Sequence, residues 1–219
     1  NAVAVLRDIP GLVVACPARA DDAAAMLRTC VAAAITDATL SVFLEPIALY
    51  HRRDLYEAGD QAWLAADHDE HVPIGRARMY LRPEPVEGRA STSSAHSTVS
   101  AALTMISFGN GVPMSLRVAR RLASAGIAAR VLDLRWLAPL PVEDILAAHE
   151  DLISRIKLCY GADRAGFEAD LLTPIRNYAG FVNLLPATPD NFFCEIGGLF
   201  RLGLEVAFYA LQGTDGHIV

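Results

Sequence analysis

No stretch of this sequence approaches the roughly 20 apolar residues needed to cross a bilayer, and its first residues lack the basic segment and long apolar run of a secretory leader. A membrane-spanning or exported protein is therefore not expected. Basic runs are missing as well. With 19 Lys+Arg against 25 Asp+Glu the net charge is -6, which disfavours nucleic acid and anionic membranes as partners. The four cysteines (Cys16, Cys30, Cys159, Cys194) stand far apart, without a CxxC pair or a histidine at ligand spacing. They read as buried reduced thiols of a cytoplasmic protein. There is no GxSxG elbow to raise a nucleophilic serine, and no spacing ties His51 or His149 to a nucleophile.

What is present is a large apolar inventory: 219 residues, 53% of them hydrophobic, enough for one large core or two ordinary ones. Residues 103–108 form an apolar run that meets Gly109-Asn110-Gly111, followed by an amphipathic segment and then Val131-Leu132-Asp133. That order predicts strand, glycine turn, helix and a second strand, the unit from which parallel sheets are built. In the helix Leu116, Ala119, Leu122 and Ala123 make the apolar face, Arg117, Arg120 and Arg121 face outward, and Gly126 supplies the stop. A similar unit precedes it. Residues 12–16 and 41–45 are short apolar runs, each closed by a proline, and between them Asp21 and Asp22 mark a helix N-terminus ahead of an apolar face of Leu27, Val31, Ala34 and Ile35. Neither pair of strands alternates polar with apolar residues, so each sheet is expected to be covered by helices on both faces.

Residues 50–72 are a charged loop; His68, His71 and its acids suit a solvated face better than a metal site. Residues 82–100, RPEPVEGRASTSSAHSTVS, cannot bury enough apolar surface to offset the entropy of ordering. Their opening resembles the translation of short interspersed repeats of bacterial genomes, so they read as an insertion into an interdomain linker. Beyond residue 141 the pattern predicts a helix over 142–149, a strand over 156–160, a helix over 168–178 limited or kinked by Pro174, a strand over 182–185 and an apolar tail helix weakened by Gly197, Gly198 and Gly203.

Two chemistries can be weighed on the residues alone. Gly109, Gly111 and Asp133 mimic a dinucleotide-binding turn and its ribose-gripping acid, but the third glycine of GxGxxG falls at Met114, where a tiny residue is required. Ser107 and Ser115 lie near the turn without a partner. Glu45 is better placed, since sites in open α/β sheets gather at the carboxyl ends of parallel strands.

The phrases at residues 9–14 (IPGLVV), 20–27, 43–50 (FLEPIALY) and 72–75 (VPIG), followed by the FGNG turn and the DLRWLAPLP ending of residues 103–141, resemble in order the thiamine-diphosphate-dependent 2-oxoacid dehydrogenases. The match is to the end of the pyrimidine-binding domain and the start of the transketolase C-terminal domain of a β subunit. The resemblance implies an α/β protein of two Rossmann-like three-layer units with mostly parallel sheets: residues 1–80 the second half of the pyrimidine-binding domain, 81–101 a linker, and 102–219 a transketolase C-terminal-like domain. It also implies oxidative decarboxylation of a 2-oxo acid with acyl transfer to a lipoyl-bearing acyltransferase, the cofactor supplying the hard chemistry.

In that family the activating glutamate, and the groups that hold thiamine diphosphate and Mg²⁺, match no position in these residues. No catalytic residue is therefore expected in this chain, the chain alone is expected to be inactive, and an α-type subunit and a second β-like copy are the expected partners in a bacterial cytoplasm. One site can be carried over: Ala34, Ile35, Asp37 and Thr39 match a phrase whose main-chain carbonyls hold potassium, with Thr39 in place of an asparagine. Transketolase or deoxyxylulose-phosphate synthase relatives, and a noncatalytic assembly module, are the alternatives. Glu45-Pro46 with Leu49-Tyr50 favours the dehydrogenase side. After residue 141 the resemblance fades.

Overall fold

The computed structural model describes residues 2–67, 69–80, 103–160, 164–182 and 198–213, so the expected linker lies outside the described residues. Both expected strand–helix–strand units are present. In the first, β1 (Val13–Ala15) and β2 (Ser41–Phe43) run parallel, joined by α2 (Ala20–Asp37), with the short helix α1 (Ala2–Arg7) before them. In the second, β4 (Leu103–Ser107) and β5 (Ala129–Asp133) run parallel, joined by α3 (Gly111–Ser124).

Each sheet takes a third, antiparallel strand from the other side of the linker. β3 (Arg78–Tyr80) pairs with β5, and β6 (Trp136–Ala138) pairs with β1, giving the orders β2-β1-β6 and β3-β5-β4. Only two residues separate β5 from β6, so the chain steps from one sheet into the other within one turn. In that turn the Leu134 N–H donates to the Ser107 carbonyl (2.9 Å) and the Cys16 N–H to the Arg135 carbonyl (2.7 Å), which ties both sheets to it.

The glycine turn is a packing device. Gly109 has φ +50°, and a Cβ there would stand 3.1 Å from Cys16 Sγ and 3.3 Å from Pro46 Cγ; at Gly111 a Cβ would overlap Ser107 Oγ. Met114, where a dinucleotide turn needs its third glycine, is 60% exposed on the helix surface.

Helix α3 buries Val112, Leu116 and Ala119, with Leu122 and Ala123 half-buried, as its periodicity predicts, and Gly126 (φ +78°) ends it. Helix α2 does not follow its expected face. Leu27, Val31 and Ile35 are 49%, 51% and 79% exposed and Ala34 is exposed, whereas Asp21, Asp22, Ala25, Met26 and Cys30 are buried.

Past β6 every described element is helical: α4 (Val142–Ala148), α5 (Glu150–Tyr160), α6 (Arg164–Phe167), a π turn over Glu168–Leu172, α7 (Thr173–Val182) and α8 (Gly198–Gly213). The strand expected over 156–160 is thus a helix. Its apolar run is too short to declare a period, and Leu152 and Ile156, four apart, are buried on one face of α5 with acids in its first turn and Lys157 in its last. Of the strand expected over 182–185, Val182 closes α7 and the rest lies outside the described residues. Pro174 does not end its helix, because the π turn just before it opens the backbone where the proline lacks an N–H. Gly203 lets α8 approach α7 closely: a Cβ there would stand 2.7 Å from the Tyr178 ring.

Leu146, Ile156, Ile175, Leu204 and Phe208 of these helices share one core with Val14 of β1, Ile106 of β4 and Leu132 of β5. No helix among the described residues is long and apolar enough to cross a membrane.

Gly111→Ala is expected to lower stability by about 1–3 kcal/mol in denaturant unfolding, the usual range for forcing atoms into a packed site. Adding Ser107→Ala should restore much of the loss; full additivity of the two changes would contradict the packing role.

Candidate functional site

The polar centre of the molecule surrounds the β5–β6 turn. Asp133, the last residue of β5, is fully buried; its Oδ1 accepts the Arg135 N–H (3.1 Å), and its Oδ2 has no partner among the described residues. That bond supports Arg135 at φ +59°, a left-handed conformation that a non-glycine residue adopts at a cost. The Arg135 guanidinium in turn reaches Asp22 at the start of α2. Arg78 of β3 binds both Asp21 (3.0 Å) and Asp22 (3.1 Å) and lies over the Tyr80 ring, 5.1 Å from its centre. Two buried carboxylates are thereby bound by two guanidinium groups, one from β3 and one from the β5–β6 turn. A cleft of about 360 Å³ opens beside them, bordered by His71, Val72 and Pro73.

This environment sets the protonation states. Burial, then the negative charge of Asp22, pushes Asp133 up to about 7, although the Arg135 N–H and the two arginines pull the other way. For Asp21 burial also favours the neutral form, yet the Arg78 hydrogen bond and charge override it and hold the carboxyl below its ordinary range. Burial beside Asp133 pushes the Cys16 thiol up to about 12, so it stays protonated and unreactive. Asp133, considered from the sequence as a ribose-gripping acid, is closed off from any ribose. Ser107 is buried as its register partner across β4 and β5. His149 is buried with its Nδ1 2.8 Å from the Ile145 carbonyl, and His51 is exposed.

Glu45 lies where its sequence position suggests, just past the carboxyl end of β2, with the Tyr50 hydroxyl donating to its Oε2. That bond raises the tyrosine's pKa. The two residues stand at the rim of a cavity of about 400 Å³ that also touches the first residues of α2. Ala34, Ile35, Asp37 and Thr39 fall on the last turn of α2 and just beyond it, around the left-handed Ala38 (φ 53°), where the Ala33 carbonyl accepts the N–H groups of Ala38 and Thr39.

The described residues do not fit thiamine diphosphate and Mg²⁺. Among the described residues no three His, Cys, Asp or Glu side chains converge as metal ligands, and the space at the Gly109 turn that a phosphate would occupy is filled by Cys16, Pro46 and Ser107. Sequence reasoning missed the Arg78, Tyr80 and Arg135 side of the cluster. Its one signal was an aspartate inside the otherwise apolar run Val131-Leu132-Asp133-Leu134.

Comparison with known proteins gives two kinds of match, which overlap beyond residue 137. The pyruvate dehydrogenase E1 component subunit beta, mitochondrial, of Caenorhabditis elegans is 34% identical over 136 residues, 62% of this chain and 31% of that protein. The Drosophila melanogaster counterpart is 31% identical over 175 residues, 80% of this chain and 41% of the other. The Bacillus subtilis pyruvate dehydrogenase E1 component subunit beta is 28% identical over 188 residues, 84% and 49%. The chain is similar to part of these β subunits. The β-subunit-like chain spans between about a third and a half of the length of these relatives. The family model TraI_2, described as "Putative helicase", matches residues 137–219, from β6 onward. Among solved structures a split-gene transketolase, an inactive β4 tetramer, matches at TM-score 0.46 and 21% identity over 68% of this chain and 38% of that one.

The raised pKa of Asp133 has a definite sign. A carboxyl that binds its proton more tightly in the folded than in the unfolded chain makes stability fall as pH rises from about 4 to about 7, and leaves it level above. Asp21, with its pKa depressed, adds stability above its unfolded value that is lost only in more acid solution. Asp133→Asn is expected to flatten the decline between pH 4 and 7 and to raise stability at pH 8 by on the order of 2 kcal/mol. Urea unfolding across that range reads this directly, and an unchanged slope in the variant would assign the pH dependence elsewhere.

Proposed function

We propose that this chain is the β-like portion of a 2-oxoacid dehydrogenase that decarboxylates a 2-oxo acid on thiamine diphosphate and passes the acyl group to lipoyl groups. The observation that carries this reading is the 34% identity over 136 residues to a pyruvate dehydrogenase β subunit, in a chain whose two parallel units lie where the FLEP and FGNG phrases fall. The cofactor, when bound, supplies the stabilised carbanion. The diphosphate and Mg²⁺ are held by an α-type subunit and by parts of the β subunit that these residues do not match, so this chain contributes scaffold and subunit contacts. Residues 1–80 form part of the pyrimidine-binding domain, residues 81–101 the linker, and residues from 102 the start of a transketolase C-terminal-like domain. A second β-like copy and a lipoyl acyltransferase complete the assembly, in a bacterial cytoplasm.

A second reading applies to residues 137–219 alone. The family model match and the change from strands to helices after β6 support a helical module here, in a stretch that the β-subunit likeness also enters. Nucleic acid is a poor fit for it. Every unit of the net charge of -6 resides in this stretch, so its overall charge repels a phosphate backbone.

The 219-residue chain, given thiamine diphosphate, Mg²⁺ and pyruvate or branched 2-oxo acids, is expected to release no CO₂ above the protein-free rate. It should co-elute with an α-type E1 subunit in gel filtration. CO₂ release by the chain alone, or no co-elution, counts against the assignment. The potassium site at the end of α2 belongs to the same reading: 100 mM K⁺ in place of Na⁺ should raise the melting temperature by a few degrees through preferential binding to the folded state. Equal melting temperatures in the two salts remove that site.

A further inference from the structure

The cavity at the carboxyl ends of β1 and β2 has no role in the reading above. Its walls are mainly apolar, Phe43, Leu49, Trp63 and Leu64 among them, and four polar side chains reach it: Arg19, Glu45, Tyr50 and Arg52. Their charges are unevenly matched. Arg19 has the Asp21 carboxylate 3.6 Å away and donates to the Leu64 carbonyl at 2.9 Å. Among the described residues the Arg52 side chain has only the Asp54 carbonyl, at 3.5 Å, and its buried Nε has no acceptor. Glu45 accepts a hydrogen bond from the Tyr50 hydroxyl, which fixes the carboxylate at the rim but leaves its charge. Among the described residues neither Glu45 nor Arg52 has an ion-pair partner.

The cavity therefore presents one uncompensated cation and one uncompensated anion on an apolar surface. A ligand with a carboxylate alone satisfies Arg52 and sets an unpaired Glu45 against its own charge; a ligand with an ammonium alone does the reverse. A zwitterion satisfies both. At about 400 Å³ the space lies within the range of small-molecule sites, and its position at the carboxyl ends of parallel strands is where open α/β sheets bind ligands.

We propose that this cavity binds a free α-amino acid with an apolar side chain, its carboxylate on Arg52, its ammonium on Glu45, and its side chain against Phe43, Leu49 and Trp63. Tyr50 acts as a positioning residue for Glu45. Trp63, buried and lining the cavity, serves as a built-in reporter, while Trp136 is fully buried elsewhere and contributes a constant signal.

The test titrates the full 219-residue chain with L-phenylalanine and L-leucine, followed by tryptophan fluorescence and by calorimetry. In parallel it uses 3-phenylpropionate, which lacks the ammonium, and 2-phenylethylamine, which lacks the carboxylate. Saturable binding of at least one amino acid, with both truncated analogues at least tenfold weaker, is the expected result. Arg52→Gln and Glu45→Gln should each weaken amino-acid binding tenfold or more with an unchanged circular dichroism spectrum, and Trp63→Phe should lose the fluorescence response while keeping the heat of binding. The proposal is overturned by no saturation with either amino acid, by equal affinity for the three phenyl compounds, or by wild-type affinity in both charge variants. The analogue series on the unmodified chain decides the matter even where a variant does not fold. None of these outcomes depends on decarboxylase activity or an α-type partner, so the two proposals fail separately.

Discussion

The structure depends on the step from β5 to β6. Two residues, Leu134 and Arg135, carry the chain out of one sheet and into the other, and both sheets bond to that step through Ser107 and Cys16. Three-stranded sheets are small for independent stability, and here neither is independent, because each owes its third strand to the far side of the linker. The turn is also where side chains from α2, β3 and β5 converge. The left-handed Arg135 is retained because its N–H holds Asp133 and its guanidinium holds Asp22, bonds that a glycine could only half supply.

The Asp22 ion pairs also explain the rotation of α2. Asp22, Ala25, Met26 and Cys30 lie on one face of a 3.6-residue helix, so anchoring Asp22 beneath Arg78 and Arg135 turns that face inward. The larger residues Leu27, Val31 and Ile35 then point out. A reading by hydrophobicity chooses the face with the bulkier side chains and has no means of seeing an arginine 56 or more residues away in the chain. The fold overrides the local pattern with a few charge-assisted hydrogen bonds, which in a buried setting outweigh the partial exposure of three aliphatic groups.

The same contrast runs through the rest of the chain. Both strand–helix–strand units were legible because glycines, prolines and a full helical period bracket them. β3 and β6 were not, since three residues show no period and their pairing partners lie across the linker. The glycine turn could be read as a turn from sequence, but its purpose required coordinates: Ser107, Cys16 and Pro46 fill the space that a phosphate would need. Of the site residues, Glu45 was found by its place at a strand's end. Arg52 carried no signal, because an arginine in a charged loop looks solvated until its Nε is seen buried without a partner.

Near residue 137 the architecture changes, while the likeness to dehydrogenase β subunits, 175 to 188 residues long in two relatives, runs past it. Before it the chain is built of parallel units; after it a second family model also matches, the described elements are all helical, and the charge turns acidic. Yet β6 straddles the boundary, and Leu137 is fully buried in the core shared by α4, α5, α7 and α8 with Val14 and Leu132. A core of that kind excludes the view of the helices as a loose appendage, since burying Leu, Ile and Phe side chains at one site yields stability only while both contributors are present. Whatever the descent of residues 137–219, they cover the sheet faces that the β-like part would otherwise expose. The functional consequence is spatial: the helices pack on the sheets, and none of their residues lines the charged cavity at the carboxyl ends of β1 and β2.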